Sequence, residues 1–207
     1  MKDHDTKTRI LDSAERLFAQ NGISDTSLRE ITAEAKANLA SVNYHFQSKE
    51  ALVNAVYSRR LVPANQRRLE MLDAAEARAR DGVPPLEEIM DAFVAPFLTG
   101  FMGTPFTALM GRVYAEPGDF ARRFIGSHMA EIARRFGTVL HRALPGLPEE
   151  ELFWRMHFAV GALAHTLAGT KLLEILSQGR CGPPEAEAVR RRMVAFLCAG
   201  LRAEASD

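Results

Sequence analysis

Cysteine is scarce in this chain of 207 residues: Cys181 and Cys198 are the only two, and neither has a second cysteine at the Cys-x-x-Cys spacing of a zinc or redox motif. A disulfide-stapled secreted fold is thereby excluded. A reduced, cytoplasmic protein is the expectation, with a bridge between two copies left open. Net charge is missing as well, since 26 Lys and Arg residues meet 26 Asp and Glu. That balance excludes a globally basic coat for nucleic acid, so any affinity for a polyanion has to come from a local patch. No uninterrupted apolar run reaches the ~18 residues of a membrane span, and no membrane partner is expected. The longest runs, 158–164 and 193–201, are closed by His157 and His165 and by Arg192 and Arg202. The opening MKDHDTKTRILDSAERLF lacks the apolar run and small-residue cleavage site of a secretory signal, so export by that route is not expected. Gly-x-Ser-x-Gly, phosphate-loop and His-Glu-x-x-His patterns are absent, and the carboxylates lie mostly on solvated helical faces. His157 and His165 fall about two turns apart on one helix, but nothing supplies further ligands. No catalytic residue, cofactor or metal is therefore assigned.

What the chain does have is helical periodicity. Residues of the hydrophobic class make up 47%, enough for one substantial core or for a small domain beside a larger one. Ile10, Leu11, Ala14, Leu17 and Phe18 form one face of a first helix that ends at Asn21-Gly22. Ser27 stands three residues before Glu30, the spacing in which each side chain caps the other's backbone N–H, and Leu28, Ile31 and Ala35 line the helix that follows. After a turn at Lys36-Ala37, Asn38 caps a third helix whose Val42 and Phe46 face inward. Asn38, Ala40, Ser41, Asn43, Tyr44 and His45 are left pointing outward, and no acidic residue occurs from Lys36 to Lys49. A short polar helix facing water is the plainer reading of these residue types. The sharper one is contact with DNA, because Asn pairs with base edges, Ser donates or accepts at several bases, and Tyr, His and Lys reach phosphate oxygens.

Ser48 caps a fourth helix carrying Leu52, Val53, Val56, Tyr57 and Leu61, which Pro63 is expected to kink or divide. A heavily charged stretch then runs to a stop at 81–85. Beyond it, Phe and Met concentrate between Pro96, Gly100, Gly103, Pro105 and Pro117-Gly118, which predicts several short helices. Such stripes are more often plain core, but they are also how an all-helical domain encloses an apolar ligand. On the second reading the pocket candidates are Phe93, Phe97, Phe101, Phe106, Met110, Tyr114, Phe124, Met129, Phe136 and Met156. Pro145 to Pro148 mark a boundary, and a helix is predicted from Glu149 to about Ser177 with apolar residues around much of its circumference. A last helix follows the turn at 179–184. The two terminal helices read as an antiparallel pair with apolar surface to spare, as expected if two copies form a four-helix bundle. The candidates for that interface are Val160, Gly161, Ala164, Ala168, Val189, Met193, Phe196 and Leu197. A two-fold protein also suits a palindromic DNA site.

The N-terminal 60 positions resemble the TetR family of bacterial transcription regulators. The likeness runs from Thr8 to Tyr57 and includes Leu17-Phe18, Gly22, Thr26-Ser27, Ile31, the block Val42-Asn43-Tyr44-His45-Phe46 and Ser48-Lys49-Glu50-Ala51-Leu52. It implies an all-α homodimer in which a three-helix, helix-turn-helix DNA-binding domain (1–47) and a connecting helix (48–62) precede a larger helical effector-binding and dimerisation domain (63–207). Position by position, it places Asn38, Leu39, Ala40, Ser41 and Asn43 near bases, and Thr26, Ser27, Tyr44, His45 and Lys49 near the phosphate backbone. The chain departs from the family pattern twice. Lys36 stands where glycine is usual in the turn, so either a non-glycine residue takes the left-handed conformation or the turn is shifted. Asn43 stands where tyrosine is common, which suggests amide readout. The Asn38–Phe46 block and Phe153–Phe158 also resemble a branch that includes fatty-acid-responsive regulators. The reading is a repressor that binds a double-stranded palindromic operator as a homodimer and is released by a small apolar effector, acyl-type compounds being candidates. An activator of the same fold, or a ligand carrier or enzyme that leaves its helix-turn-helix unused, are the alternatives.

Overall fold

The structure, a computed structural model, describes residues 2–115, 123, 126–169, 171–182 and 185–204. Every element bounded within them is an α-helix. The chain divides into two compact units, 1–62 with 104–124 and 63–103 with 125–207. Among the described residues no helix is long and apolar enough to cross a membrane.

The first unit contains α1 (Lys2–Asn21), α2 (Leu28–Glu34), α3 (Leu39–Phe46), the beginning of α4 (Lys49–Arg78) and α6 (Phe106–Ala115). The apolar face of α1 is buried through Ile10, Ala14 and Phe18, each 1% exposed or less. Gly22 ends α1 in the left-handed conformation at φ 100°, and its N–H reaches the Phe18 carbonyl at 3.1 Å. The segment carrying α6 lies far along the sequence, beyond the boundary expected at residue 63, yet α6 packs on α1. Phe106 and Leu109 are fully buried there. The Tyr57 hydroxyl of α4 donates to the Leu109 carbonyl at 2.9 Å, and the Tyr57 ring meets Phe106 edge-on at 5.8 Å. Buried Glu15 of α1 accepts from both Arg59 and Arg60 of α4 at 2.6 and 2.8 Å.

The second unit is built around α5 (Leu86–Phe101), whose apolar residues occupy all sides and are buried along nearly its whole length. A helix of that pattern needs cover all round. It receives cover from α7 (Ala130–Ala143), α8 (Glu149–Ala168) and α10 (Ala186–Arg202). Asp91 takes both prongs of Arg190 at 2.5 Å, and Glu87 takes both of Arg202 at 2.6 and 2.9 Å, so α10 is pinned to α5 near each end. Arg155 of α8 donates to the carbonyls of Gly200, Leu201 and Ala203, satisfying acceptors that the end of α10 leaves open.

Three breaks expected from the sequence fall elsewhere. Helix α4 runs unbroken through Pro63 for 30 residues. The proline removes one intrahelical bond on an exposed side, while Leu61, Ala64, Leu72 and Ala75 stay buried on either side of it. Helix α5 continues through Pro96 and Gly100 and stops only at Met102, before Gly103 at φ 78°. Helix α8 ends at Ala168, not near Ser177, because Gly169 at φ 143° leaves the helical region; α9 (Lys171–Leu176) is a separate short turn of helix.

Burial decides the chemistry of the two thiols. Cys198 is 1% exposed, and burial, aided by the charge of Glu87, pushes its pKa up to about 11. Cys181 is exposed. Titration with a disulfide-exchange reagent at neutral pH will therefore label Cys181 alone in the native protein and Cys198 only after denaturant is added; fast labelling of both thiols would contradict the packing of α10.

Candidate nucleic-acid interface

Two short helices and the turn between them form the surface of interest. Ser27 opens α2 with a complete capping box: the Glu30 N–H donates to Ser27 Oγ at 3.2 Å and the Ser27 N–H to Glu30 Oε2 at 2.7 Å. The Ser27 backbone N–H, then its hydroxyl, hold the Glu30 carboxyl below its ordinary range, with Lys49 assisting. A depressed carboxyl stabilises the fold at pH values above its unfolded pKa, and that contribution is lost as pH falls through the folded value.

At the other end of α2, Lys36 adopts φ 49°. The Ala37 N–H donates to the Thr32 carbonyl at 2.9 Å and the Lys36 N–H to the Ala33 carbonyl at 3.2 Å. This is the paired bonding of a Schellman motif, with Lys36 in the left-handed position that glycine usually fills. The turn is not shifted; a lysine takes the strained conformation.

Helix α3 follows at once. Asn38 Oδ1 accepts from both the backbone N–H and the hydroxyl of Ser41, at 2.8 and 2.9 Å. Val42 and Phe46 are buried at 0% and 5% exposure. Leu39, Ala40, Asn43 and Tyr44 are exposed, and Ser41 and His45 are half-buried. The Tyr44 ring meets His45 edge-on at 5.0 Å. After α3, Gln47 at φ 65° closes a tight turn in which the Ser48 N–H reaches the Phe46 carbonyl at 2.7 Å. Ser48 Oγ then caps α4 by accepting from the Ala51 N–H at 3.0 Å.

The candidates do not all have the same freedom. Thr26 is fully buried, and its hydroxyl donates to the Gly22 carbonyl at 2.7 Å, so its side chain holds the α1–α2 loop from inside. Ser27 Oγ and Asn38 Oδ1 accept capping bonds, and the Ser41 hydroxyl donates to Asn38 Oδ1. Lys49 is half-buried and its ammonium donates to the Ser24 carbonyl at 3.1 Å. Two exposed cations beside the face, Arg29 and Lys36, were not among the candidates. For Arg29 the sequence carries a signal: a cation in the first turn of a helix opposes the macrodipole.

The candidates of the second half of the chain are dispersed. Phe93, Phe97, Phe101 and Phe136 are buried in the second unit, with Phe93–Phe136 and Phe97–Phe101 ring centroids 5.2 and 4.9 Å apart. Met129 and Met156 are half-buried. Phe106 and Met110 are instead buried in the first unit. Phe124 and the Tyr114 side chain lie outside the described residues. Among the interface candidates, Gly161, Ala168 and Phe196 are exposed, Val160, Ala164 and Val189 half-buried, and Met193 and Leu197 buried within the unit. Sequence reasoning left out the largest exposed apolar side chains of α8, Phe153, Trp154 and Phe158, at 70%, 53% and 63% exposure. With Gly161 they continue one exposed side of that helix.

Residues 10–56 match the sequence model of bacterial regulatory proteins of the tetR family, and residues 89–200 that of the tetracyclin repressor-like C-terminal domain. The transcriptional repressor NemR of Escherichia coli is 32% identical over 81 residues, 39% of this chain and 41% of that protein. The nicotine-responsive transcriptional repressor HdnoR of Paenarthrobacter nicotinovorans is 30% identical over 134 residues, 63% of this chain and 66% of that protein. The chain thus spans less than two thirds of either relative. In fold it is similar to the transcriptional regulator FadR of Bacillus subtilis, solved in complex with stearoyl-CoA, with a TM-score of 0.70 and 13% identity over 93% of this chain and 98% of that one.

The conformation of Lys36 gives a direct test of the turn. Lys36→Gly removes a left-handed cost of roughly 1–2 kcal/mol and adds back part of it as chain entropy, for a net gain of about 0.5–1 kcal/mol in urea unfolding. A loss of stability in this variant would mean that the turn is not left-handed. Thr26→Ala, which leaves buried carbonyl oxygens unmatched, will cost about 1–3 kcal/mol in the same measurement.

Proposed function

Because this chain belongs to the tetR family of bacterial regulatory proteins, we propose that it is a cytoplasmic transcriptional repressor that binds a palindromic operator as a homodimer and leaves it when a small, largely apolar effector binds. The observation that carries this reading is the face of α3: Asn43, Tyr44 and Leu39 stand exposed on a helix capped at its start, in a segment without an acidic residue. Leu39, Ala40 and Asn43 face the bases, with Asn38 and Ser41 adding what their cap leaves over. Ser27, Tyr44, His45 and Lys49 meet the phosphates, joined by Arg29 and Lys36. Thr26 acts by shaping the loop. The repressor direction follows NemR and HdnoR, both named as repressors.

In this reading residues 1–47 read the operator, 48–62 form the connecting part of α4, and the chain from residue 63 carries the effector and partner surfaces, α6 excepted. The partner surface is the exposed side of α8 and α10, where Gly161, Ala168 and Phe196 continue into Phe153, Trp154 and Phe158. Exposed apolar surface of that extent is what a two-fold four-helix contact covers. The effector binds in the aromatic second unit; that the similarly folded FadR was solved with stearoyl-CoA makes acyl compounds the first class to try. The effector acts by population shift, favouring one inclination of α4 and so one separation of the paired recognition helices, and this requires different effector affinities in the two states.

Selection of bound DNA from a random pool tests operator binding, symmetry and half-site spacing together; recovery of no palindrome would end the docking scheme. Asn43→Ala should relax preference at one base position per half-site by about 1–3 kcal/mol. Lys49→Ala should weaken all sequences alike and lower the salt slope by about one. Negligible, equal effects of both would remove the assignment of α3 as the reading helix.

A further inference from the structure

We propose that α3 reads A·T pairs where it meets each operator half-site, Asn43 pairing with an adenine edge and Leu39 and Ala40 packing on thymine methyl groups, so that no G·C pair is read by this helix. The inference rests on the reading of α3 as the helix that enters the major groove. The sequence of α3, Leu-Ala-Ser-Val-Asn-Tyr-His-Phe, contains neither Arg nor Lys and neither Asp nor Glu. In the major groove guanine is recognised at O6 and N7 by paired donors from Arg or Lys, and the amino group of cytosine by a carboxylate. Neither edge of a G·C pair therefore has its usual partner on α3.

What α3 does present suits the other pair. Asn43 is exposed, and its carboxamide has no hydrogen bond among the described residues. One amide edge offers a donor and an acceptor side by side, the complement of adenine N7 and its amino group. Leu39 is 44% exposed although apolar, and Ala40 beside it is exposed as well. Both stand in the first turn, the part of a recognition helix that reaches base edges. Apolar side chains gain nothing from phosphates, and the apolar group that a base edge offers in the major groove is the thymine methyl. Ala40 is short, so the backbone of the first turn can approach that edge closely. Leu39 and Asn43 are one turn apart, with about 6 Å between their Cβ atoms, against about 3.4 Å for each base step. The thymine and the adenine accordingly lie within about two steps of each other. Competing polar groups are occupied or stand off the helix. Asn38 Oδ1 takes the N–H and hydroxyl of Ser41 at 2.8 and 2.9 Å, and the Lys49 ammonium donates to the Ser24 carbonyl at 3.1 Å. The exposed cations Arg29 and Lys36 belong to α2 and its closing turn.

The test uses the full chain and an operator recovered by selection from a random pool. Each thymine of a half-site is replaced in turn by deoxyuridine, which removes the methyl and keeps the pairing, and each adenine by 7-deazaadenine, which removes the N7 acceptor. Dissociation constants are measured for the wild type, Leu39→Ala and Asn43→Ala. Uracil at the contacted thymine should weaken wild-type binding about three- to fourfold, and Leu39→Ala should bind the thymine and uracil operators equally. One 7-deazaadenine should weaken wild-type binding about three- to tenfold, at a position where Asn43→Ala is indifferent to the change. A purely structural Leu39 or Asn43 would lower affinity for all operators and leave these ratios intact. Uracil substitutions without effect throughout the half-site, or an Asn43→Ala variant whose lost preference is for guanine or cytosine, overturn the assignment. The substituted operators remain decisive with the wild type even where a variant does not fold. A preference for G·C pairs under α3 overturns this proposal alone, whereas recovery of no preferred sequence overturns the reading of α3 as a recognition helix with it.

Discussion

A helix of 8 residues does not hold its shape in water, and the exposed face of α3 depends on how that limit is met. Its two inward residues, Val42 and Phe46, give it a place against the neighbouring helices, but two anchors fix only one side. The remaining constraint comes from its ends. Asn38 satisfies Ser41 at the start, the left-handed Lys36 sets the angle at which the chain arrives from α2, and Gln47 turns it sharply into α4. Buried Thr26 then keeps the loop before α2 from opening. Because capping occupies the side-chain oxygens of Ser27 and Asn38 and the hydroxyl proton of Ser41, the polar side chains of the segment without a capping bond are fewer than its polar residues, the exposed Asn43 and Tyr44 among them.

The same rule of restraint by neighbours governs α4. Its N-terminal part is gripped by α1 through the buried carboxylate of Glu15 and by α6 through Tyr57, while Arg68 and Asn65 sit in the aromatic part of the second unit. Exposed ion pairs of the surrounding faces, such as Arg67 with Glu70, add little in water. The enclosed ones matter more, because removing one partner leaves a buried charge uncompensated. A single helix thus carries enclosed polar groups of both units along its length.

Local signals in the sequence fared according to how local their physics is. The capping box at Ser27, the cap at Asn38, the stop at Gly22 and the inward pair Val42 and Phe46 depend on residues within a turn of one another, and each forms as its spacing indicates. Proline was a weaker guide. Pro63 and Pro96 both lie inside continuous helices, since one missing hydrogen bond costs less than the burial that continuity secures on either side. Glycine could be misread in the opposite sense: Gly100 leaves α5 intact, whereas Gly169 ends α8. Residue type cannot separate those cases, because glycine permits a positive φ without requiring it.

The sequence by itself determined the helical class, the helix-turn-helix segment with its acid-free face, and the family to which the chain belongs, because these follow from short spacings within one or two turns of chain. Only the tertiary structure decided what is shared at long range. It took Thr26 out of the outward surface, put Phe106 and Met110 into the unit that holds α1, turned Met193 and Leu197 inward while leaving Phe153, Trp154 and Phe158 outside, and enclosed Arg68 between two phenylalanines. An apolar helix presents several faces of similar hydrophobicity, and which of them is covered depends on helices dozens of residues away, so no local period contains the answer.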